Sequence, residues 1–263
     1  TSTNSSIGLI YALKKILWYI YIFMTKLVKY SRNNAFNKNY NTKFPPSYPN
    51  EMMVKLLSSN IYSNLIKKFY FLKNRKKKIL EVGSSSGNNL RFFIDKKLDC
   101  FGIEINKDMV NLGKDNLKRL GYKIPEIKIG HNTKIPYPDN FFDCLISINT
   151  IHYSSGKDID LALKEYKRVL KKGSIVYIET SGPKHFNRDS SLKISSLKWK
   201  SKLKDFRRNF IFGFFSSKKH FKETLQKNFR KVEIFERSEY SNLDLHFYIG
   251  VCVVWDFKIF FND

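Results

Sequence analysis

The sequence has few of the residues that mark disulfide-stapled or metal-binding proteins. Its three cysteines, Cys100, Cys144 and Cys252, are too few and too far apart for a disulfide framework or a zinc site. Each lies in an apolar, strand-like segment, so we expect reduced, buried thiols and a cytoplasmic protein. The five histidines also lack metal-ligand spacing, and no metal site is predicted.

Acidic residues are absent from residues 1–50, which contain seven lysines and arginines. Within this stretch, residues 7–28 are strongly apolar, but Lys14 and Lys15 leave only residues 16–24 uninterrupted. A bilayer span needs about 20 apolar residues, so a transmembrane helix is not expected. No small-residue cleavage site follows, which disfavours a secretory signal. Two interpretations stay open: a helix lying in a membrane interface, or a helix packed on the domain or on a partner chain.

The net charge of +25 has two interpretations. Lysine, asparagine, isoleucine, phenylalanine and tyrosine are all abundant, as in proteins from AT-rich genes. Alternatively, the charge indicates an anionic partner. Residues 184–222 concentrate this charge, because twelve lysines and arginines stand there against Asp189 and Asp205, interleaved with aromatic residues. This segment is interpreted as a helical lid with solvated lysines, a site for a phosphorylated small substrate, or a surface for RNA.

The chain divides by composition into an arm and a domain. Residues 1–50 form a basic, aromatic arm that ends in an Asn- and Pro-rich linker. Residues 51–263 can hold one α/β domain, and we expect a lid-like insertion at about 184–220. Residues 51–72 have apolar positions at helical spacing, which predicts a helix before the first strand.

The domain is organised around residues 76–90, KKKILEVGSSSGNNL. Residues 79–82 predict a buried strand, a small-residue turn runs from Gly83 to Gly87, and a helical pattern starts at Asn88. Strand, glycine turn and helix are the first unit of a Rossmann-like α/β fold. Glu81 precedes the first glycine by two positions. A carboxylate there repels a pyrophosphate and attracts a cation, which argues against a dinucleotide site.

A second carboxylate, Glu104, ends the next predicted strand, 23 residues after Glu81. A carboxylate in this position can accept hydrogen bonds from both hydroxyls of a ribose. Helical and strand patterns then alternate along the chain. They predict helices at 107–120, 158–170 and 221–229, and strands at 124–129, 142–148, 174–180, 231–237 and 245–255.

Three motifs in order, EVGSSSG (81–87), FGIEIN (101–106) and KRVLKKGS (167–174), resemble class I S-adenosylmethionine-dependent methyltransferases, in particular the generic small-molecule "type 11" group. The resemblance covers about residues 51–258. It implies a Rossmann-like, seven-stranded, mostly parallel sheet flanked by helices, with the last strand antiparallel. It also implies S-adenosyl-L-methionine as the cofactor and direct in-line attack on its methyl group.

The resemblance assigns the cofactor site to nine residues. Glu81 would hold the ammonium group, Glu104 the ribose, and Ile105 would lie against the adenine. The others are Gly83, Ser85 and Gly87 on the methionine side, His131 and Asn132 at the adenine edge, and Asn149 after the fourth strand. Two positions depart from the family pattern, since Ser85 replaces the usual middle glycine and His131 replaces the usual aspartate.

The residues after the fourth strand narrow the acceptor. Neither Asn/Asp-Pro-Pro-Tyr/Phe nor Pro-Cys stands there, which argues against amino-methylating DNA enzymes and against cytosine C5 chemistry. His152 and His185 are candidate general bases, and Glu179 is a weaker one. The predicted function is methyl transfer to a small-molecule or surface-sugar acceptor, with a hydroxyl as the expected site. The alternatives are an RNA methyltransferase and a non-catalytic, cofactor-binding or membrane-associated module.

Overall fold

The computed structural model describes residues 48–58, 77–205, 207–240 and 244–254. The predicted arm, including its apolar stretch 7–28, lies outside the described residues apart from positions 48–50. The predicted helix at 51–72 is described over its first part, α1 (Glu51–Ser58). None of the described helices is long and apolar enough to cross a membrane.

A seven-stranded sheet forms the centre of the molecule, in the order β3-β2-β1-β4-β5-β10-β9. Strands β1 to β5 are parallel, and β10 runs antiparallel to both β5 and β9. The strands are β1 (Lys78–Val82), β2 (Asp99–Glu104), β3 (Glu126–Ile129), β4 (Phe142–Ile148), β5 (Leu170–Ser181), β9 (Arg230–Tyr240) and β10 (Asp244–Val253). The predicted fold class, with its antiparallel last strand, is confirmed.

Helices cover both faces of this sheet. Ile79 of β1 packs on one side in a cluster with Leu90 and Phe93, and its neighbour Leu80 packs on the other side with Leu163. This alternation follows from the strand, whose successive side chains point to opposite faces. The helices are α2 (Asn88–Asp95), α3 (Lys107–Arg119), α4 (Lys157–Val169) and α6 (Lys218–Gln226). The three cysteines are free and buried, as predicted.

Several predicted boundaries were wrong by a few residues. Strand β3 begins after Pro125, which has no N–H to donate to a ladder. Strand β5 begins at Leu170, where α4 ends, rather than at 174. Helix α6 begins at Lys218 rather than 221, because the side chain of Ser217 accepts a hydrogen bond from the backbone N–H of His220 at 3.1 Å and caps the helix.

The basic segment forms a small antiparallel sheet instead of the predicted helical lid. After the short helix α5 (Phe186–Asp189), strands β6 (Ser191–Ser195), β7 (Lys198–Ser201) and β8 (Ile211–Phe212) pair in the order β6-β7-β8. The helical interpretation was wrong because the segment alternates with the two-residue period of a strand, for example over Lys198-Trp199-Lys200. A lid role for this sheet stays a prediction.

The end of α4 fixes the loop that follows β3. Arg168 donates to the carbonyl oxygens of Ile135 and Tyr137, both at 2.9 Å. Glu165 accepts from the backbone N–H of Ile135 at 2.9 Å and pairs with Arg168 at 2.8 Å. Glu165 and Arg168 therefore hold in place the segment that leads from the third strand to the fourth.

Candidate cofactor-binding site

The carboxyl ends of β1, β2, β3 and β4 meet at one edge of the sheet. The residues that follow these strands, 83–87, 105–106, 130–134 and 149–150, form the loops of this edge. Open α/β sheets bind ligands at this edge, near the point where the strand order reverses. The strands therefore bring the nine predicted cofactor-binding residues to one edge, although they lie between positions 81 and 149.

The turn after β1 has a backbone that demands glycine at its start. Gly83 has a φ of 75°, and a Cβ there would lie 2.3 Å from Oγ1 of Thr150. That hydroxyl donates to the carbonyl oxygen of Val82 at 3.1 Å, so it joins the end of β1 to the loop after β4. Ser85 also has a positive φ, 47°, although it carries a Cβ. The replacement of the usual glycine thus costs backbone strain.

Glu81 is a buried carboxylate with one oxygen unpartnered. The side-chain amide of Asn89 donates to Oε1 at 2.7 Å, while Oε2 is buried without a hydrogen-bond partner. Burial raises the pKa of Glu81 to about 8, although the Asn89 hydrogen bond opposes this shift. An unsatisfied acceptor beside the glycine turn suits the ammonium group of the cofactor, whose positive charge would favour the ionised carboxylate.

Glu104 binds two backbone N–H groups in the same site. Oε1 accepts from Ser85 at 2.7 Å, and Oε2 accepts from Ile105 at 2.9 Å. Burial raises the pKa of Glu104, and these two donors lower it in part. Each carboxylate oxygen has two lone-pair directions, so both retain an acceptor site for a ribose hydroxyl. Glu104 therefore also holds the turn after β1 against the end of β2, a role that the sequence did not predict.

The two candidates for the adenine edge differ in their partners. Nδ1 of His131 bonds the hydroxyl of Thr133 at 2.8 Å and its backbone N–H at 3.2 Å. The side chain of Asn132 is buried and donates to Oγ of Ser154 at 2.8 Å, while its Oδ1 has no partner. Of these two side chains, Asn132 has a buried acceptor, Oδ1, that no hydrogen bond satisfies. Ile105, predicted to lie against adenine, is 38% exposed.

Sequence reasoning missed a polar network that extends the site. Asn50, just before α1, donates its backbone N–H to Oδ1 of Asn89 at 2.7 Å and its side-chain amide to Glu179 at 3.3 Å. Arg237 of β9 bonds the same Glu179 oxygen at 3.1 Å, and Tyr177 bonds the other at 3.0 Å. Glu179 is therefore held in a buried ion pair, which explains its position better than the role of general base. Asn50 could have been recognised in the sequence as the N-cap of α1, because asparagine is favoured at that position. Its Oδ1 accepts a hydrogen bond from the backbone N–H of Met53 at 2.8 Å.

The candidate bases lie between the central and small sheets. His152 is buried in the 3-10 turn Ile151–Tyr153, its ring contacts Phe212, and its Nδ1 has no partner. Burial, with a smaller contribution from His185, lowers the pKa of His152 to about 3. His185 accepts from the backbone N–H of Asn187 at 3.2 Å and caps α5, and burial lowers its pKa to about 4. Both imidazoles are neutral at pH 7.

Several phenylalanines of the basic segment face inward. Four phenylalanines are buried, while the lysines of the small sheet are exposed. The buried side chains are Phe210, Phe212, Phe214 and Phe215. The segment thus buries these four phenylalanines and exposes its lysines, while its role as a lid stays a prediction. Within the described ranges, no group of three or more His, Cys, Asp or Glu side chains is placed to hold a metal ion.

The sheet order and the carboxylates at the ends of β1 and β2 define a Rossmann-like, cofactor-binding α/β domain. Residues 80–178 match the family described as "Methyltransferase domain". Two solved structures share the fold. A SAM-dependent methyltransferase from Methanosarcina mazei has a TM-score of 0.57 at 20% identity, covering 70% of this chain and 95% of that chain. The PH0226 protein from Pyrococcus horikoshii has a TM-score of 0.54 at 18% identity, covering 81% and 97%.

Curated relatives match the same region. The uncharacterized methyltransferase YcgJ of Bacillus subtilis is 25% identical over 107 residues, 40% of this chain and 42% of that protein. A ubiquinone/menaquinone biosynthesis C-methyltransferase of Vibrio cholerae is 32% identical over 113 residues, 40% and 42%. The chain thus matches about two fifths of the length of these relatives. The family match and the methyltransferases among these relatives and structures support a class I S-adenosylmethionine-dependent methyltransferase domain, with S-adenosyl-L-methionine as its cofactor.

Proposed function

We propose that this protein transfers a methyl group from S-adenosyl-L-methionine to a small-molecule acceptor. The observation that carries the proposal is the buried, unpartnered Oε2 of Glu81 beside the Gly83 turn, across the site from Glu104. Several relatives that match residues of this domain are named as ubiquinone/menaquinone biosynthesis C-methyltransferases, which supports a small organic acceptor. A surface-sugar acceptor is a narrower form of the same proposal.

The residues at this edge of the sheet would each bind a different part of the cofactor. Glu81 offers its free oxygen to the ammonium group, and the backbone of Gly83, Ser85 and Gly87 lines the methionine portion. Glu104 accepts from the ribose hydroxyls. Two loops complete the site, with Asn132 and His131 at the adenine edge, Ile105 against the ring and Asn149 after β4. When bound, the cofactor supplies a methyl group on a positively charged sulfur, which makes that carbon electrophilic.

We expect His152 and His185 to orient an acceptor rather than to act as strong bases. A general base works best when its pKa is near the working pH, and burial lowers the pKa of both groups well below 7. The unpartnered Nδ1 of neutral His152 can accept a hydrogen bond from an acceptor hydroxyl. The chain then contributes mainly proximity and alignment for the in-line attack.

An RNA acceptor, the second interpretation of the sequence, is less favoured. Non-specific single-strand binding combines a basic groove with exposed aromatic side chains on which bases stack. Phe210, Phe212, Phe214 and Phe215 are buried, so these four side chains offer no such platform. A non-catalytic module is the remaining alternative, and the strained Ser85 and the engaged His131 are the features that prompt it.

Two experiments test the proposal. Isothermal titration with S-adenosylmethionine should give binding heat for the wild type and strongly reduced binding for Glu104→Ala. Glu126→Ala is the matched control, because Glu126 is an exposed carboxylate on β3 whose side chain pairs with Lys128. Absence of heat from the wild type would refute the cofactor assignment.

A labelled-methyl assay then identifies the acceptor class. The protein is incubated with labelled S-adenosylmethionine and with extract that has been separated into small-molecule and RNA fractions. Label should enter the small-molecule fraction. Label confined to RNA would establish the RNA interpretation, and cofactor binding without transfer to either fraction would favour the non-catalytic module.

A further inference from the structure

The small sheet exposes aliphatic and basic side chains together. Leu192 is 53% exposed and Ile194 is 50% exposed, both on β6. Leu192 stands opposite Lys200 in the ladder, and Ser195 stands opposite Lys198. All four side chains, Leu192, Ile194, Lys198 and Lys200, are exposed, and we call this set the outer surface of the small sheet.

The opposite surface of the small sheet is partly buried. Ser201 and Phe212 are buried, and Trp199 stands opposite Phe212 in the ladder. The ring of Trp199 also contacts Phe214, with centroids 6.0 Å apart. The backbone N–H of Gly213, next to β8, donates to the carbonyl oxygen of His152 at 2.8 Å. The inner surface is thus packed against the domain, and strand alternation directs Leu192 and Lys200 away from it.

The charge around the outer surface has one sign. Residues 191–204 contain five lysines and no aspartate or glutamate. On the flanks, Asp205 is paired with Arg207, and Asp189 is exposed at the end of α5. Exposed lysines beside exposed leucine and isoleucine are the combination that an anionic bilayer surface recognises, because the ammonium groups reach the phosphates while the aliphatic tips enter the headgroup region.

We propose that the outer surface of the small sheet docks on an anionic lipid membrane. The lysines provide charge complementarity, and the two aliphatic side chains provide apolar contact that a free anion in solution would not need. RNA fits this surface less well, because Leu192 and Ile194 cannot stack on bases and the neighbouring phenylalanines are buried. The docking does not depend on methyl transfer.

Vesicle flotation of the full chain tests the docking. The wild type should float with phosphatidylglycerol-containing vesicles and remain behind with pure phosphatidylcholine vesicles at the same lipid concentration. The double variant Leu192→Ser/Ile194→Ser should weaken binding roughly tenfold, since each half-exposed aliphatic side chain loses part of its transfer free energy. The matched control is Leu161→Ser/Ile124→Ser, which removes two side chains of similar exposure from other surfaces.

Charge variants test the second half of the proposal. Lys198→Gln/Lys200→Gln should weaken binding by roughly fivefold per lysine, the effect expected for a lysine at an anionic surface. The control Lys118→Gln/Lys123→Gln removes the same charge near the end of α3. All variants retain residues 7–28, so any contribution of that segment is constant, and unchanged titration with S-adenosylmethionine shows that each variant is folded.

Three outcomes would overturn the docking. Equal flotation of the outer-surface variants and their controls would locate membrane contact elsewhere. Flotation that does not depend on anionic lipid would remove the role of the lysines. Binding to a single-stranded RNA oligonucleotide that both double variants abolish, without vesicle binding by the wild type, would make the surface a nucleic-acid site.

Discussion

The side-chain amide of Asn89 donates to Oε1 of Glu81 at 2.7 Å, and its carbonyl oxygen accepts from the backbone N–H of Asn50 at 2.7 Å. One buried asparagine in the first helix after the glycine turn therefore links the cofactor carboxylate to the residue that begins α1. The amide can satisfy both neighbours only in this orientation, with its nitrogen toward the carboxylate.

Replacing Asn89 should damage both stability and cofactor binding. Asn89→Ala removes the hydrogen bond from the Asn89 amide to Oε1 of Glu81. We expect the free energy of unfolding to fall by about 1–3 kcal/mol. Affinity for S-adenosylmethionine should fall roughly tenfold, because the carboxylate is less well ionised and less well held. Urea unfolding and isothermal titration measure the two effects. Asn111→Ala, an exposed position on α3, is the control. Lost stability with unchanged affinity would limit Asn89 to a structural role.

Cofactor binding should release about one proton near pH 7. The raised pKa of Glu81, about 8, means that the free protein holds this carboxyl largely protonated at pH 7. A bound ammonium group favours the carboxylate and lowers that pKa, so the proton leaves. Titration in buffers of different ionisation enthalpy measures the release. In Glu81→Gln the release should disappear, and an unchanged value there would assign the proton to another group.

The raised pKa of Glu81 should also make the folded protein less stable as the pH rises. The pKa of Glu81 is higher in the folded chain than in the unfolded chain, so the folded chain binds more protons between about 4.5 and about 8. The contribution of Glu81 to the free energy of unfolding is complete below about pH 4.5. It is lost as the pH rises to about 8, by at most about 1.4 kcal/mol per pH unit. Urea unfolding at pH 5 and pH 8 should therefore show a weaker pH dependence for Glu81→Gln than for the wild type.

Ser85→Gly should stabilise the protein without weakening its binding of S-adenosylmethionine. A left-handed backbone costs an L-residue about 1–2 kcal/mol, which glycine avoids. Glycine is also more flexible in the unfolded chain, and this offsets about 0.5–1 kcal/mol of the stabilisation. The net gain is therefore up to about 1.5 kcal/mol. Lys97→Gly is the matched control, because Lys97 has a φ of 61° just after α2. Both variants should gain stability, and affinity should persist in Ser85→Gly, since the N–H that binds Glu104 is retained. Reduced affinity would show that the serine side chain contacts the cofactor.

His152 should make the protein sensitive to acid. Its folded pKa, about 3, is below the ordinary value of 6.5, so the folded chain binds fewer protons than the unfolded chain between these values. This contribution is present above pH 6.5 and is lost as the pH falls, by at most about 1.4 kcal/mol per unit. Urea unfolding at pH 7 and pH 5 should show a loss for the wild type that is smaller for His152→Gln. His220→Gln, on α6, should leave the wild-type loss in place, and an equal effect of both variants would contradict the buried imidazole.

Much of the fold could be predicted because its signals are local. Buried apolar runs predicted the strands, and the glycine turn with Glu81 and Glu104 predicted a cofactor site at the edge of the sheet where these residues lie. The small sheet was missed for a different reason. Its alternation is carried by lysines and serines as well as apolar residues, and the interleaved phenylalanines suggested a helical lid instead.

The contacts within the site could be predicted less well than its location. Glu104 accepts a hydrogen bond from the backbone N–H of Ser85. Every residue except proline has this group, so the sequence does not indicate which residue Glu104 binds. Asn50 and Glu179 are 129 residues apart, and no local pattern joins them. The buried states of His152 and His185 also depend on packing by Phe212 and Phe247 from distant segments.

The bond between Arg237 and Glu179 has a consequence for synthesis on the ribosome. A growing chain that ends at β5 already contains the nine residues assigned to the cofactor, but it lacks Arg237. Glu179 would then be a carboxylate at the edge of the sheet without the cation that compensates its burial. Because β9 joins the sheet through β10, this ion pair can form during translation only after the last strand has emerged.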